Sequence, residues 1–415
     1  MASSNVVSVV EAGTSRTVVL VGRARPGGGP PEVLGVGVHP TTGMRKGCVE
    51  NANYVASAVR KALAAASGKD AARASIEDVS LICSCGDVAA EPLRQEVAIE
   101  GPDGVVDENA VEEARARLDR SPPPEGREAL ETLRLYHTID DAPGEVREPV
   151  GIPASRLVVH GLLLHTAESL AMRLEDTVEA AGCSVNDVIF SGLAAAHGAL
   201  TPQQREDGAL CIDFGGGTTS WCAFANRHAI AAGALPVGGD HVTNDLLSAF
   251  RPGSRQAAER FKLAYGCADL RAVPAEGRVP LQPDGGDSSR TVGARAAAEV
   301  VHARMEELVL LIREDLKARG ALSHLGAGIV VTGGGSLLRG VPELVSRVFG
   351  APCQRPSLST GRRELDADPA LFATAWGGLR QAVRKDLFES ERAAREGGAL
   401  RRFFGMLVRK GGGRP

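Results

Sequence analysis

Short apolar runs that end in a carboxylate and a glycine-rich turn are the clearest pattern along this chain. The run at 209–212 is followed by an acidic residue, three glycines and two threonines, and a second apolar run covers 219–225. Apolar runs of this length, bounded by glycines, are typical of buried strands. The pattern therefore predicts a β-hairpin, with a further strand at 228–233.

The N-terminal segment repeats this order. An apolar run at 6–10 leads into Glu11, Gly13, Thr14 and Ser15, and strands are predicted at 17–21 and 33–38. A repeat at a separation of roughly 200 residues is typical of an internally duplicated architecture. We therefore expect two related α/β lobes, each with one hairpin loop facing a shared site.

Both loops carry groups suited to binding phosphate. Glycines let backbone N–H groups close on an anion, hydroxyls add donors, and a carboxylate can hold Mg²⁺ through water. Glycine-rich turns after strands are common, so either loop alone is weak support for a nucleotide site. As a pair they predict one triphosphate clamped between the lobes. The candidates in the second loop are Asp213, Gly215, Gly216, Gly217 and Thr218.

A third glycine turn follows a predicted strand at 328–332. Gly333, Gly334 and Gly335 precede a predicted helix at 337–349. Taken alone, such a loop is more often a tight strand-to-helix turn than a ligand site. Downstream of two phosphate hairpins, it is the expected contact for an adenine or ribose.

Composition limits the class of protein. A chain of 415 residues is too long for one core, and its net charge of −4 gives no support for a nucleic-acid partner. The eight cysteines form no C-x-x-C pair, which favours buried thiols in a reducing cytoplasm over a zinc site or a disulfide framework. No apolar run reaches the length of a membrane span, and no signal-peptide pattern opens the chain.

The order of the three loops resembles the superfamily of actin, sugar kinases and heat-shock chaperones. Further stretches resemble the FtsA family of bacterial cell-division proteins: GMRKGCV at 43–49, GIPASRL at 151–157, PVGGDHVTND at 236–245 and AERFKLAYGC at 258–267. These stretches are collinear with that family over about residues 5 to 385. The chain is thereby identified as a member of the FtsA family.

The resemblance implies ATP and Mg²⁺ as ligands and assigns them residues. Asp213 and Glu11 would hold Mg²⁺ through water, and Asp213 would serve weak hydrolysis with Glu11. Glu259 and Lys262, one helical turn apart, would contact the ribose and base, although alone they would suggest only an exposed salt bridge. The residues that would surround the nucleotide are Gly13, Thr14, Ser15, Arg16, Gly215, Gly216, Gly217, Thr218, Gly333, Gly334 and Gly335.

The resemblance also implies an α/β, actin-like (duplicated ribonuclease H-like) two-domain ATPase fold with an inserted subdomain and a C-terminal amphipathic helix. The expected divisions are a first core domain (5–85, 161–206 and 358–386), an inserted subdomain (86–160), a second core domain (207–238 and 321–357), its own subdomain (239–320), a linker (387–399) and the tail helix (400–410). Helices are expected at 108–118 and 295–319.

Two departures from the superfamily concern hydrolysis. Many relatives carry a Glu-Pro before the small-residue helix that precedes the second phosphate strand, whereas this chain has Ser191 there. The second phosphate loop usually ends in Asp, and here it ends in Ser220. Because the attacking water needs orientation, we expect intact nucleotide binding with at most weak ATPase activity.

Partner surfaces are implied by the same resemblance. The inserted subdomain would contact the next subunit of a filament and later division proteins, or it is only a surface ornament. The 239–320 subdomain would receive the C-terminal peptide of the tubulin-like protein FtsZ. Arg304 and Glu307 fall where the family helix presents a basic and an acidic contact, although a charge pair on a long helix is more often a solvated face.

The C-terminal tail carries an apolar stripe at helical spacing with cations around it. Such a stripe can dock on its own core, but adjacent phenylalanines, flanking cations and a Gly-Gly hinge favour a helix lying on an anionic membrane. The residues concerned are Leu400, Arg401, Arg402, Phe403, Phe404, Leu407, Val408, Arg409 and Lys410.

Together these features predict an ATP-binding protein that polymerises and tethers FtsZ filaments to the cytoplasmic face of the bacterial membrane at the division site. Its partners would be itself, FtsZ, the anionic membrane and later septum proteins, with no nucleic acid. The alternatives are a soluble actin-fold ATPase or kinase, and a scaffold like the pilus-assembly protein PilM.

Overall fold

The computed structural model describes residues 6–25, 28–67, 76–100, 103–140, 142, 144–282 and 290–388. Its strands are β1 (Val6–Ala12), β2 (Arg16–Arg23), β3 (Glu32–Pro40), β4 (Met44–Arg45), β5 (Cys48–Val49), β6 (Asp78–Cys83), β7 (Ala89–Ala98), β8 (Arg127–Ile139), β9 (Arg156–Ala167), β10 (Ser184–Phe190), β11 (Ala209–Phe214), β12 (Thr219–Ala225), β13 (His228–Leu235), β14 (Arg278–Pro280), β15 (Thr291–Gly293), β16 (Ile329–Thr332) and β17 (Cys353–Gln354). Its helices are α1 (Ala52–Ala66), α2 (Glu108–Asp119), α3 (Glu168–Glu179), α4 (Ser191–Ala199), α5 (Pro202–Asp207), α6 (Gly239–Phe250), α7 (Arg255–Tyr265), α8 (Ala294–Ala318), α9 (Val341–Phe349), α10 (Arg363–Ala367) and α11 (369–388).

Two five-stranded sheets share one topology. The first has the order β10-β6-β1-β2-β3 and the second β13-β12-β11-β16-β17. In each, three antiparallel strands form a meander, and two parallel strands extend the sheet from its first strand. This duplication confirms the predicted repeat and the actin-like α/β fold.

Polar side chains fix where several helices begin. Asn51 accepts a hydrogen bond from the N–H of Tyr54 at the start of α1, and Ser254 does the same for Ala257 at the start of α7. Such side chains satisfy backbone donors that the first helical turn leaves without partners. The predicted helices at 108–118 and 295–319 are confirmed as α2 and α8, each within one residue of its expected ends.

Helices α4 and α11 pack against each other with almost no space between their backbones. A Cβ on Gly377 would overlap the carbonyl oxygen of Ala194, and one on Gly198 would overlap that of Ala373. The other face of α11 buries Trp376 against the first sheet. Glycine at both crossing points is what lets α11 lie this close to α4.

The inserted sheet comprises β7, β9 and β8, in that order, with α2 on one face. Its small core joins Leu118 of α2 to Leu157 and Val159 of β9. Strand β9 pairs with β7 and β8 along most of its length and continues to Ala167. The expected boundary at residue 160 therefore falls inside a continuous strand, and the sheet extends several residues further than the sequence indicated.

Asp87 fastens the base of the inserted sheet to the first lobe. Its carboxylate accepts hydrogen bonds from Arg127 Nη1 at 2.9 Å, from the N–H of Ala167 at 2.9 Å, and from the hydroxyl of Thr166. One carboxylate thus links the start of β8 to the end of β9. We call this group the Asp87 junction.

Candidate functional site

A cavity of about 730 Å³ lies between the two lobes, where the hairpin turns of both sheets meet. Its walls come from the β1–β2 turn, the β11–β12 turn, the loop after β16, and helix α7. The predicted site residues that line it are Glu11, Gly13, Thr14, Ser15, Arg16, Asp213, Gly215, Gly216, Thr218, Glu259, Lys262, Gly333, Gly334 and Gly335. Gly217 lines an adjoining cavity of about 760 Å³ that shares Thr14 and Ser15.

The two hairpin turns are built in the same way. The N–H of Gly13 donates to the carbonyl of Arg16 at 3.0 Å, and the N–H of Gly215 donates to that of Thr218 at 2.9 Å. Within the described chain, the N–H groups inside these turns have no backbone acceptor, and they belong to Thr14, Ser15, Gly216 and Gly217. Such amides form a concave group of donors suited to an anion.

The turns also touch each other across the cavity. A Cβ on Gly217 would lie 2.5 Å from Thr14 Oγ1, and one on Gly216 would lie 3.2 Å from the Cβ of Ser15. Only the missing side chains let the loops come this close. The two sets of backbone donors therefore converge on one volume.

Glu11 and Asp213 occupy equivalent places at the ends of β1 and β11. Burial raises the pKa of Glu11 to about 7, with Arg16 opposing the rise and the Asp213 charge adding to it. Burial likewise raises the pKa of Asp213 to about 6, against a hydrogen bond from Thr374 and the charge of Arg16. Among the described residues, Glu11 Oε2 is buried with no hydrogen-bond partner. The charge of Arg16 therefore offsets only part of the effect of burying the two carboxylates.

Distant segments hold Asp213 in place. Thr374 Oγ1, on α11, donates to Asp213 Oδ2 at 3.0 Å. Gly333 has φ +79°, and a Cβ there would overlap Asp213 Oδ1 and the carbonyl of Phe214. The loop after β16 passes this carboxylate only because residue 333 is glycine.

Lys262 is buried rather than solvated, with 6% of its surface exposed. Its ammonium group donates to the carbonyl of Gly239 at 3.1 Å and to Thr243 Oγ1 at 2.9 Å, and it lies 2.8 Å from Glu259 Oε2. The salt bridge is therefore buried at its Lys262 end, while 38% of the Glu259 side chain is exposed. Glu259 and Lys262 join α7 to α6 at the cavity wall.

Arg16 ties the first hairpin to α11. Its guanidinium donates to the carbonyl of Leu371 and lies 5.4 Å from the centre of the Phe372 ring. This arrangement keeps a positive charge beside Glu11 and Asp213 while the side chain still lines the cavity.

The two residues at which this chain departs from the superfamily, Ser191 and Ser220, are in contact. Ser191 Oγ donates to Ser220 Oγ at 3.2 Å, and both residues are buried. Ser191 also lines the cavity. A neutral hydroxyl pair therefore stands where relatives were expected to carry acids.

Sequence reasoning missed several cavity residues, including Ser84, Leu371 and Thr374. Ser84 follows β6, so its place at the carboxyl end of a parallel strand was a usable signal. Thr374 reaches Asp213 across 161 residues of sequence, and no local pattern marks it.

On α8, Arg304 is held by two carboxylates. Its Nε and Nη2 contact Asp245 at 2.7 and 3.1 Å, and its Nη1 donates to Glu307 at 2.7 Å. These charge-assisted bonds, with Asp245 the larger contributor, raise the pKa of Arg304. Arg304 and Glu307, the residues predicted as a basic and an acidic contact, therefore form one surface cluster with Asp245.

The predicted membrane helix lies outside the described residues, as does most of the expected linker. Across the part of the chain that the structure describes, no helix combines the length and apolar character needed to span a bilayer. The same described ranges contain no cluster of three or more His, Cys, Asp or Glu side chains arranged to hold a metal ion.

Comparison of the sequence with known families and proteins gives consistent matches. A family model described as "Cell division protein FtsA" matches residues 210–377. The protein named "Cell division protein FtsA" from Pseudomonas aeruginosa is 30% identical over 385 residues, covering 92% of this chain and 90% of that protein.

Solved structures show the same fold at lower identity. The PilM-PilN type IV pilus biogenesis complex matches with a TM-score of 0.60 and 18% identity, covering 91% of this chain and 98% of that one. MreB 5 of Spiroplasma citri bound to AMPPNP matches with a TM-score of 0.53 and 14% identity, covering 94% and 99%. These likenesses support the actin-like architecture.

Proposed function

The chain belongs to the FtsA family of cell division proteins, and from that membership we propose that it binds ATP and Mg²⁺ between its two lobes. In this proposal it forms filaments at the cytoplasmic face of the bacterial membrane, at the division site. The filaments tether FtsZ to that membrane and recruit later septum proteins.

The observation that carries the proposal is the meeting of two equivalent hairpins over one cavity that holds two buried carboxylates. The residues fit a divalent cation with its nucleotide, because two buried carboxylates line one cavity, one oxygen of Glu11 has no hydrogen-bond partner among the described residues, and the charge of Arg16 offsets only part of the effect of burial. The likeness to MreB 5 bound to AMPPNP is consistent with a nucleotide at this place in the fold.

Each group has a proposed role. Glu11 and Asp213 would hold Mg²⁺ through water, since oxygen ligands and retained waters are that ion's usual habit. The turn amides would receive the phosphates, while Glu259, Lys262 and the glycines at 333–335 would flank the nucleoside. When bound, Mg²⁺ would neutralise charge on the phosphates.

Slow hydrolysis is part of the same proposal. Ser191 and Ser220 donate and accept hydrogen bonds, but neither can take a proton from water as a carboxylate does. Glu11, with its pKa of about 7, is one carboxylate of the cavity that could do so. Binding without rapid turnover suits a nucleotide-dependent polymer better than a metabolic enzyme.

The partner surfaces remain proposals that follow from family membership. The surface cluster formed by Arg304 and Glu307 on α8 and Asp245 on α6 would receive the acidic and basic groups of the FtsZ C-terminal peptide. The inserted sheet would contact the next subunit, and residues 400–410 would lie on an anionic membrane surface.

The direct test is Mg·ATP binding by the full chain, measured by displacement of a fluorescent ATP analogue. We expect Asp213→Asn to weaken Mg·ATP binding at least tenfold and to have a smaller effect on ATP in EDTA. The control Asp103→Asn changes an exposed acid of the inserted sheet region. Equal Mg·ATP affinity in all three proteins would refute the assignment, and turnover of several per second would favour a soluble ATPase or kinase.

A further inference from the structure

Another cavity, of about 450 Å³ and apart from the nucleotide site, lies between the inserted sheet and the β12–β13 turn, and four arginines line it. Arg115 comes from α2, Arg134 from β8, Arg147 from the segment before β9, and Arg227 from the turn. None of the described residues that line it is an aspartate or glutamate. Four parts of the chain therefore each contribute an arginine side chain to the lining of one small cavity.

Two of these arginines are neutralised and two are not. Arg134 Nε contacts Asp119 at 3.1 Å, and Arg227 Nε contacts Glu206 at 3.0 Å. Within the described ranges, Arg115 and Arg147 have no hydrogen-bond or ion-pair partner. Arg115 is half-buried and Arg147 is exposed, and both line the one cavity, so an anion placed there would be attracted to both.

His137 supplies an independent sign of a missing ligand. Only 6% of its surface is exposed, it lines the cavity, and neither ring nitrogen has a hydrogen-bond partner among the described residues. Buried polar groups are nearly always satisfied, so the two unmatched nitrogens leave a hydrogen-bonding requirement that a water or an anion beside the ring would meet.

The backbone explains why His137 and Arg147 come together. The N–H of His137 donates to the carbonyl of Val146 at 3.1 Å, and the N–H of Val146 donates back at 2.7 Å. This pairing places Arg147 directly after the bridge. Glu145, on the other side of Val146, accepts from Asn226 Nδ2 at 3.3 Å and does not line the cavity.

We propose that this cavity is a binding site for a small phosphate-bearing anion, held by Arg115, Arg147 and His137. Guanidinium groups match the paired oxygens of phosphate, and a neutral imidazole adds one donor. The volume suits an anion such as pyrophosphate rather than a folded partner. The bound anion would lie against the β12–β13 turn, whose Asn226, Arg227 and His228 line the same cavity.

The test is calorimetric titration of the full chain with inorganic pyrophosphate, with Mg·ATP already saturating. The comparison is with the double variant Arg115→Gln/Arg147→Gln, and Arg313→Gln on α8, outside this cavity, is the matched control. We expect at least tenfold weaker binding in the double variant and unchanged binding in the control. Equal affinity in all three would overturn the proposal, and unchanged Mg·ATP affinity keeps this outcome distinct from that of the nucleotide site.

A second readout does not depend on the variants folding. In wild-type protein, the ring resonances of His137 should shift as pyrophosphate is added, and unshifted resonances would overturn the site.

Binding to phosphatidylglycerol vesicles distinguishes a lipid headgroup from a free anion as the source of the phosphate. Weaker vesicle binding by the double variant would identify a lipid headgroup, and unchanged vesicle binding would identify a free anion. An oligoglutamate peptide that binds more tightly than pyrophosphate would overturn the phosphate assignment.

Discussion

Glu11 and Asp213 face the same cavity with little positive charge to balance them. Burial, more than their mutual repulsion, raises their pKa values to about 7 and about 6. A group that is harder to ionise in the folded protein than in the unfolded chain costs stability once the pH is high enough to ionise it. Two buried carboxylates of this kind lower the stability of the ligand-free fold, and the same charges favour the binding of a cation.

The first prediction concerns pH. Between its ordinary pKa and about 7, Glu11 binds more protons folded than unfolded, so the free energy of unfolding falls as pH rises through this range. Glu11→Gln should therefore stabilise the ligand-free protein at pH 8 by about 1–3 kcal/mol, with little gain at pH 4.5. Denaturant unfolding at both pH values checks this, with exposed Glu299→Gln as the control. An equal effect at both pH values would contradict it.

The second prediction concerns hydrolysis. Ser191→Glu places a carboxylate at the cavity where the hydroxyl pair now lies, and a positioned base contributes typically 10²–10⁴-fold. We expect ATP turnover to rise by at least about tenfold, measured by phosphate release. Ser191→Gln controls for side-chain size. Matching turnover in the two variants would show that the missing acid does not limit hydrolysis.

At the scale of elements, the contact of α4 with α11 is tightly constrained. The helices cross where Gly198 and Gly377 lie, and each glycine faces a backbone carbonyl rather than a flexible side chain. Neither helix can yield easily, because α4 is buried on nearly all sides.

The third prediction follows from this crossing. Gly377→Ala should lower the free energy of unfolding by about 3 kcal/mol, because overpacking a rigid contact forces the backbone apart. Gly293→Ala is a matched control, since a Cβ there would make only ordinary contacts of 3.7 Å or more. Urea unfolding of the three proteins is the measurement, and an unchanged midpoint for Gly377→Ala would contradict the packing argument.

The features that the sequence predicted depend on local patterns, whereas the features that it missed depend on contacts between different segments of the chain. Both hairpins were predictable because strand, carboxylate, glycine and hydroxyl follow one another locally. The burial of Lys262, the bond from Thr374 to Asp213 and the full extent of β9 depend on partners far away in the chain. No spacing within a segment encodes such contacts. The roles proposed for the site residues stay predictions until ligands are tested.

At the scale of the whole molecule, membrane residence is proposed to depend on assembly. Each cation near an anionic surface contributes about 1 kcal/mol, and each large apolar side chain adds roughly 1–2 kcal/mol. Immobilising the chain offsets much of this, so one tail should bind only marginally. Subunits joined in a filament would present many tails together.

The fourth prediction tests that dependence by co-sedimentation with anionic liposomes. The full chain should pellet more with Mg·ATP than without, and the bound fraction should rise steeply with protein concentration. A truncation after Asp386 should stay in the supernatant. If both proteins remained soluble, the membrane role would fail, and the soluble ATPase and pilus-type alternatives would gain.

The Asp87 junction has a mechanical consequence. Strand β9 runs from the far end of the inserted sheet through this junction and directly into α3. Its 12 residues span about 40 Å, so a rotation of roughly 5° at the junction would move the far end by about 3 Å. The inserted sheet is therefore continuous with the first lobe through β9, and a displacement at its tip would be carried along this strand into α3.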